Sequence, residues 1–232
     1  MKLYYFEGAC SLADHIVLEW IGAPYETVRM THQSVKSPEF LTLSPHGTVP
    51  VLTDGDYLLT QNVAILTYLA ELHPDAMLLG DGTVRGRADV MRWLAFLNSD
   101  VHHAFKPIFS PAHFLSDPAA ADELADTARA HLRTYFNSVD RRLGDRQWLV
   151  DRRSIADPYL FVMLRWAVRL KVGTDGFANL ARFAGRMYDD DGVRAALLAE
   201  EGSAAYQTRD EETPYDASQT LWGASDLRVQ RA

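Results

Sequence analysis

A cysteine–serine pair, a threonine–valine–proline run, a glutamine–asparagine pair and two adjacent histidines are where this 232-residue sequence can do chemistry. Cys10 and Ser11 follow a short apolar run and open a helical pattern. Backbone N–H groups at a helix start are unpaired and partly positive. A thiolate there is stabilised, and a cysteine pKa is commonly lowered. Two readings stand: one of the pair handles a sulfur atom, or Ser11 is only an N-cap and Cys10 a small core residue. Thr48-Val49-Pro50 opens a strand. A proline there forgoes a ladder donor, which suits a cis bond or an ordinary trans edge. With a cis bond, the Val49 N–H and C=O turn outward and can pair with an extended peptide, as in strand addition. Gln61-Asn62 opens another helix. Its two amides and the free backbone N–H groups make a carboxylate cradle, or Thr60 and Asn62 simply cap the helix. His102 and His103 point about 100° apart on a helix and do not readily share one metal. With no H-x-x-x-H or C-x-x-C spacing, no metal site is expected. Asp14, in the first helical turn, reads as a dipole partner and is given no catalytic role.

Periodicity supplies the framework for these residues. Lys2 to Tyr5 reads as a buried strand, and Leu12, Ala13, Ile16, Val17, Trp20 and Ile21 as a helical stripe ended by Gly22 and Pro24. Tyr25, Thr27, Val28 and Met30 form a second extended run, and a short amphipathic piece surrounds Phe40. Val49 to Leu52 and Tyr57 to Leu59 flank Asp54-Gly55, a hairpin signal. Val63, Ile65, Leu66, Leu69 and Leu72 continue the helix from Gln61 until His73-Pro74. The order β-α-β then β-β-α predicts one mixed sheet with helices on its faces. Pro74, Gly80, Gly82 and Gly86 mark a connector. Beyond it the chain is helical, with stripes at Val90, Trp93, Leu94 and Leu97, at Leu132, Phe136, Val139 and Leu143, and at Tyr159, Val162, Met163, Trp166 and Leu170. Ser154-Ile155-Ala156-Asp157 has the spacing of a capping box opening the last of these, and Pro158 falls where a lost helical bond costs little. The predicted units are 1–76 (α/β), 77–86 (linker), 87–202 (all-α) and 203–232, a polar tail.

Composition narrows the function class. A formal net charge of −8 and no long Lys/Arg cluster argue against nucleic acid as partner. No apolar run approaches the ~20 residues of a membrane span, and the N-terminal residues lack the apolar core of a secretory signal. The single cysteine, Cys10, forms no intrachain disulfide, which points to a reducing, cytoplasmic compartment.

Taken together and in order, Tyr4-Tyr5, Gly8-Ala9-Cys10-Ser11, Thr48-Val49-Pro50-Val51-Leu52, Gln61-Asn62-Val63-Ala64-Ile65 and Ser154-Ile155-Ala156-Asp157 resemble the glutathione transferases. Lys2 to Tyr5, Gly8 to Leu12, Trp93 to Phe96 and Val101-His102-His103 look like the bacterial beta class. The resemblance covers about residues 1 to 202 and implies an α/β N-terminal thioredoxin-like domain plus an all-α C-terminal helical-bundle domain. It implies glutathione as co-substrate, a hydrophobic electrophile held between the domains, and a two-fold homodimer. Cys10 would sit beside the glutathione sulfur, with Ser11 and Tyr5 lining the same pocket. The Val49 backbone, before a cis Pro50, would pair with the cysteinyl part, and Gln61 and Asn62 would receive the γ-glutamyl end. His102 would reach in from the helical domain, with His103 beside it, and Lys36 would meet the glycyl carboxylate. Three positions depart from the family pattern: Asn62 stands in place of a serine, His103 of a lysine, and Val150 of a glycine. The expected reaction is conjugation. The alternatives are glutathione-dependent disulfide reduction or dehalogenation through Cys10, and a non-catalytic glutathione-binding regulatory protein of the same fold.

Overall fold

The computed structural model describes residues 1–201. Residues 203–232, expected as a polar tail, lie outside them. Strands β1 (Lys2–Tyr5), β2 (Glu26–Arg29), β3 (Val51–Asp54) and β4 (Tyr57–Thr60) form one sheet in the order β2-β1-β3-β4. β1 runs parallel to β2, with Leu3 opposite Thr27, and antiparallel to β3, with Leu3 opposite Leu52. The hairpin register pairs Asp54 with Tyr57, so the turn residues are Gly55 and Asp56, one place later than the Asp-Gly signal suggests. Gly55 takes a φ of 60°, the positive value that a two-residue hairpin requires at its first central position.

Helix α1 (Leu12–Ile21) covers the sheet and ends at Gly22, whose N–H returns to the Leu18 carbonyl at 3.0 Å. Every residue from Leu12 to Leu18 is buried, because the helices Asn62–Leu72, Ala156–Arg169 and Asp191–Glu201 surround it. The short α2 (Pro38–Leu43) is capped by Ser37, which accepts from the Phe40 N–H at 3.2 Å. α3 (Asn62–Leu72) completes the α/β unit. α4 (Val84–Phe96) begins at Val84 behind the Thr83 cap, so residues 84–86, expected in the linker, are helical. A π-helical segment, Leu97–His102, continues α4 where sequence periodicity shows only an ordinary stripe.

α5 (Lys106–Phe109), α6 (Pro118–Leu143), α7 (Ala156–Arg169), α8 (Ala178–Asp189) and α9 (Asp191–Glu201) make the helical unit. α7 is its buried axis and is fixed at its start by Asp157. That carboxylate accepts from the Ser154 N–H at 2.7 Å, the Ser154 hydroxyl at 2.9 Å and the Leu149 N–H at 3.0 Å. Asp157 thus reaches back to Ser154 as in a capping box, while the Ser154 hydroxyl accepts from the Ala156 N–H at 3.3 Å, one residue earlier than that motif has it, and a loop tie is added. One apolar cluster runs through both units, from Leu3, Ile16 and Leu66 to Leu94, Phe136 and Phe161. Polar ties cross the same boundary: His15 Nδ1 meets Glu200 Oε1 at 3.0 Å, and Trp20 Nε1 donates to Asp190 Oδ1 at 2.7 Å.

Candidate active site

The turn before α1, the start of β3, the start of α3 and the first turn of α7 converge on Cys10. Its sulfur lies 4.0 Å from the Val49 carbonyl oxygen, beside the cis Val49–Pro50 peptide. At the opening of α3, Gln61 is exposed and holds a φ of 76°, an uncommon value outside glycine. Asn62 turns inward and is 5% exposed. Its amide faces two acceptors, so the nitrogen points to them. It donates to the Cys10 carbonyl at 3.0 Å and to Asp14 Oδ2 at 2.8 Å. Tyr159, buried on α7, brings its hydroxyl to the same amide. The hydroxyl also donates to Asn98 Oδ1 at 3.0 Å and meets His102 Nδ1 at 2.7 Å.

His102 is the helical unit's contribution. Its ring packs on Trp166, centroid to centroid 4.8 Å, and Trp166 Nε1 donates to the Gly8 carbonyl at 2.8 Å. The Gly8 N–H is held by Glu200 Oε2 at 3.3 Å. The loop leading to Cys10 is thus gripped on both sides by helices of the other unit. Burial, with His103 and Lys106 close by, lowers the His102 pKa to about 4, so the ring is neutral at physiological pH.

Cys10 behaves differently from the expectation at a helix start. The backbone N–H groups of Cys10 and Ser11 do favour its anion. Burial and the Asp14 and Glu200 carboxylates outweigh them, and the thiol is pushed up to about 12. The amides form a cradle for a negatively charged sulfur, but the protein's own sulfur stays protonated.

Other expected site residues fall elsewhere. Ser11 is fully buried; its hydroxyl accepts from the Phe6 N–H at 3.3 Å and donates to the Phe6 carbonyl at 3.4 Å. It closes the loop and lines no surface. Tyr5 is 4% exposed and packs against His15, on the core side of the sheet. Asn62 spends its amide nitrogen inward, and Gln61 is the exposed member of the pair. Lys36 is exposed at the end of a short 3-10 turn, Ser34–Lys36. His103 points away, its Nδ1 bonded to the Asn98 carbonyl at 3.0 Å. Asp14 and Tyr159 are the residues that sequence reasoning passed over. Tyr159 was legible only as part of an apolar stripe. Asp14 carried one signal, a charged residue inside an otherwise apolar helical face.

Comparison with known proteins gives the family. The glutathione S-transferase N-terminal domain family matches residues 1–71 and the C-terminal domain family residues 97–191. Glutathione S-transferase GST-4.5 of Xanthomonas campestris is 47% identical over 201 residues, covering 86% of this chain and 98% of that one. The glutathione S-transferase structure from Xylella fastidiosa is 45% identical with a TM-score of 0.84, covering 86% of this chain and 98% of that one. A beta class enzyme from Sphingomonas chungbukensis is 38% identical at a TM-score of 0.77, covering 87% and 100%. A sphingomonad glutathione S-transferase solved with glutathione is 35% identical at 0.76, covering 86% and 98%. With its two-unit fold, its Cys10 loop and this extent of similarity, the chain belongs to the glutathione S-transferase family.

Proposed function

We propose that glutathione lies extended along the start of β3, with its cysteinyl part against the Val49 backbone and its γ-glutamyl end at Gln61 and the α3 N-terminus. The observation that carries this reading is the convergence of three backbone starts on Cys10, at the cis Val49–Pro50 peptide. A free thiol has a pKa of about 8.5, so only a few per cent is thiolate at neutral pH. Lowering that value by about two units takes about 2.7 kcal/mol of preferential anion stabilisation. The N–H groups of Cys10 and Ser11 and the partial charge of the α1 start are suited to supply it. The thiolate then attacks a hydrophobic electrophile: a carbon–sulfur bond forms, the halide of an aryl halide leaves, and the thiol proton passes to solvent.

The test is conjugation of glutathione to a panel of electrophiles, beginning with a chlorodinitrobenzene. Turnover above the buffer rate is expected; none across the panel, with glutathione still bound, would leave the non-catalytic alternative. Cys10→Ala is expected to keep conjugation, which a reductase acting through Cys10 would not survive. The exposed Leu72 on α3 and Met91 on α4 favour a homodimer through that face. Sedimentation at micromolar concentration should give twice the chain mass, and a monomer would refute it. The lone cysteine fits a cytoplasmic protein.

A further inference from the structure

Asp14 is an acidic residue with no access to solvent, on a helix buried on all sides. Its Oδ2 accepts from Asn62 at 2.8 Å, and its Oδ1 has no hydrogen-bond partner. A buried carboxyl with an oxygen left without a partner is costly. What the residue does touch is the Cys10 turn. The Asn62 amide bridges Asp14 Oδ2 to the Cys10 carbonyl, so the carboxyl and the peptide that carries the sulfur are locked to one another. We propose that Asp14 is a positioning residue that governs the reactivity of Cys10, by holding its peptide through Asn62 and by setting a buried carboxyl against the formation of a thiolate. This deepens the transferase reading and rests on it: the sulfur activated in the cradle is the bound ligand's, because the protein's own is kept as a thiol.

The electrostatics agree in sign. Burial and Glu200 hold the Asp14 carboxyl well above the usual carboxylate range, and the Asp14 charge in turn raises Cys10. Two interacting buried acids lose their protons in separate steps, and a charge on one opposes a charge on the other. Among the described residues, several groups face the pair. α9 contributes Glu200, already bonded to His15 of α1 and to the Gly8 N–H. α7 contributes the Tyr159 hydroxyl, α3 the uncharged Asn62 amide, β1 the Tyr5 ring beyond His15, and the start of β3 the Val49 carbonyl.

Cys10 is the only cysteine in the chain, so alkylation by iodoacetamide, followed by intact mass as a function of pH, reads it alone and needs no glutathione. The thiolate displaces iodide, and the rate tracks the thiolate fraction. In the unmodified protein the rate should still be climbing at the alkaline end of the range. A midpoint at or below the value of an unperturbed cysteine, about 8.5, overturns the proposal. Asp14→Asn keeps the shape and an acceptor for Asn62 but cannot take the charge. It should move the midpoint down by at least about one unit, a tenfold faster alkylation at mildly alkaline pH. Its unfolding midpoint and tryptophan fluorescence must show that the protein is folded. If this variant does not fold, Asp14→Ser is the substitute, and an unchanged profile in whichever variant folds overturns the proposal. Failure of glutathione binding would sink the transferase reading without moving either profile.

Discussion

His102 is held neutral in the folded protein, and that has a measurable cost in acid. Its pKa is lowered to about 4 by burial and by His103 and Lys106, whereas in the unfolded chain it returns to about 6.5. Between those values the unfolded state binds the extra proton, so stability falls as pH drops through this window and is fully present above it. The full gap is worth about 3 kcal/mol, and partial exposure reduces it to about 1–2 kcal/mol. Asp157 acts in the opposite sense over much of the same range. Its carboxyl is raised to about 6 by burial, so the folded state keeps that proton longer and gains stability as pH falls toward 4. The wild-type curve therefore mixes both, and comparison with His102→Gln isolates the histidine. Urea unfolding should show wild type losing about 1–2 kcal/mol more than the variant between about pH 7 and pH 4.5. Equal losses would mean the ring is not held neutral. At this scale the sequence was only partly legible. The place of Cys10 at a helix start was readable, and with it the amide cradle. The burial, Asp14 and Glu200 that reverse its titration come from packing of α1 among three distant helices. The hydroxyl of Tyr159 likewise finds Asn98 and Asn62, partners that no local spacing announces.

The capping box at the head of α7 shows how far element signals carry. Ser154 to Asp157 spacing identified the helix start, and the structure adds a third bond, from the Leu149 N–H, that ties the α6–α7 loop to the same carboxylate. Asp157→Ala leaves two buried N–H groups and a hydroxyl without their acceptor. Each orphaned buried group costs about 1–3 kcal/mol, and local relaxation limits the sum, so a loss of about 2–4 kcal/mol in urea unfolding is expected. Ser154→Ala should cost less, about 1 kcal/mol, because the backbone bonds survive. A loss below about 0.5 kcal/mol for Asp157→Ala would show that the loop carries itself. The π-helical segment Leu97–His102 was not legible. The stripe Val90, Trp93, Leu94, Leu97 fits ordinary helical period, and one extra residue in a turn rotates the remainder of the helix by about 100°. The facing of His102 therefore cannot be derived from α4 periodicity.

Across the whole molecule, the division into an α/β unit and a helical unit was readable from the change of period, but the ties between them were not. They depend on which side chains meet, and the most consequential pair grips a single peptide. The Gly8 carbonyl accepts from Trp166 Nε1 at 2.8 Å, and its N–H is held by Glu200 at 3.3 Å, two residues before Cys10. Trp166→Phe keeps a ring among Phe105, Phe109 and His102 and removes only the donor. A stability loss of about 1–2 kcal/mol is expected from the lost bond and the smaller ring. Because the freed peptide belongs to the loop that shapes the cradle, KM for glutathione should also rise several-fold. Gly192→Ala is the contrast. A Cβ there would lie 2.6 Å from Trp20 Cδ1, so it disturbs the α1–α9 contact away from the cradle. It should lower the unfolding midpoint by a comparable amount and leave KM near wild type. If both variants raise KM in proportion to their loss of stability, the site responds to general loosening of the two units. If only Trp166→Phe does, the grip on Gly8 is what sets glutathione affinity, and the helical unit acts on binding through that one peptide.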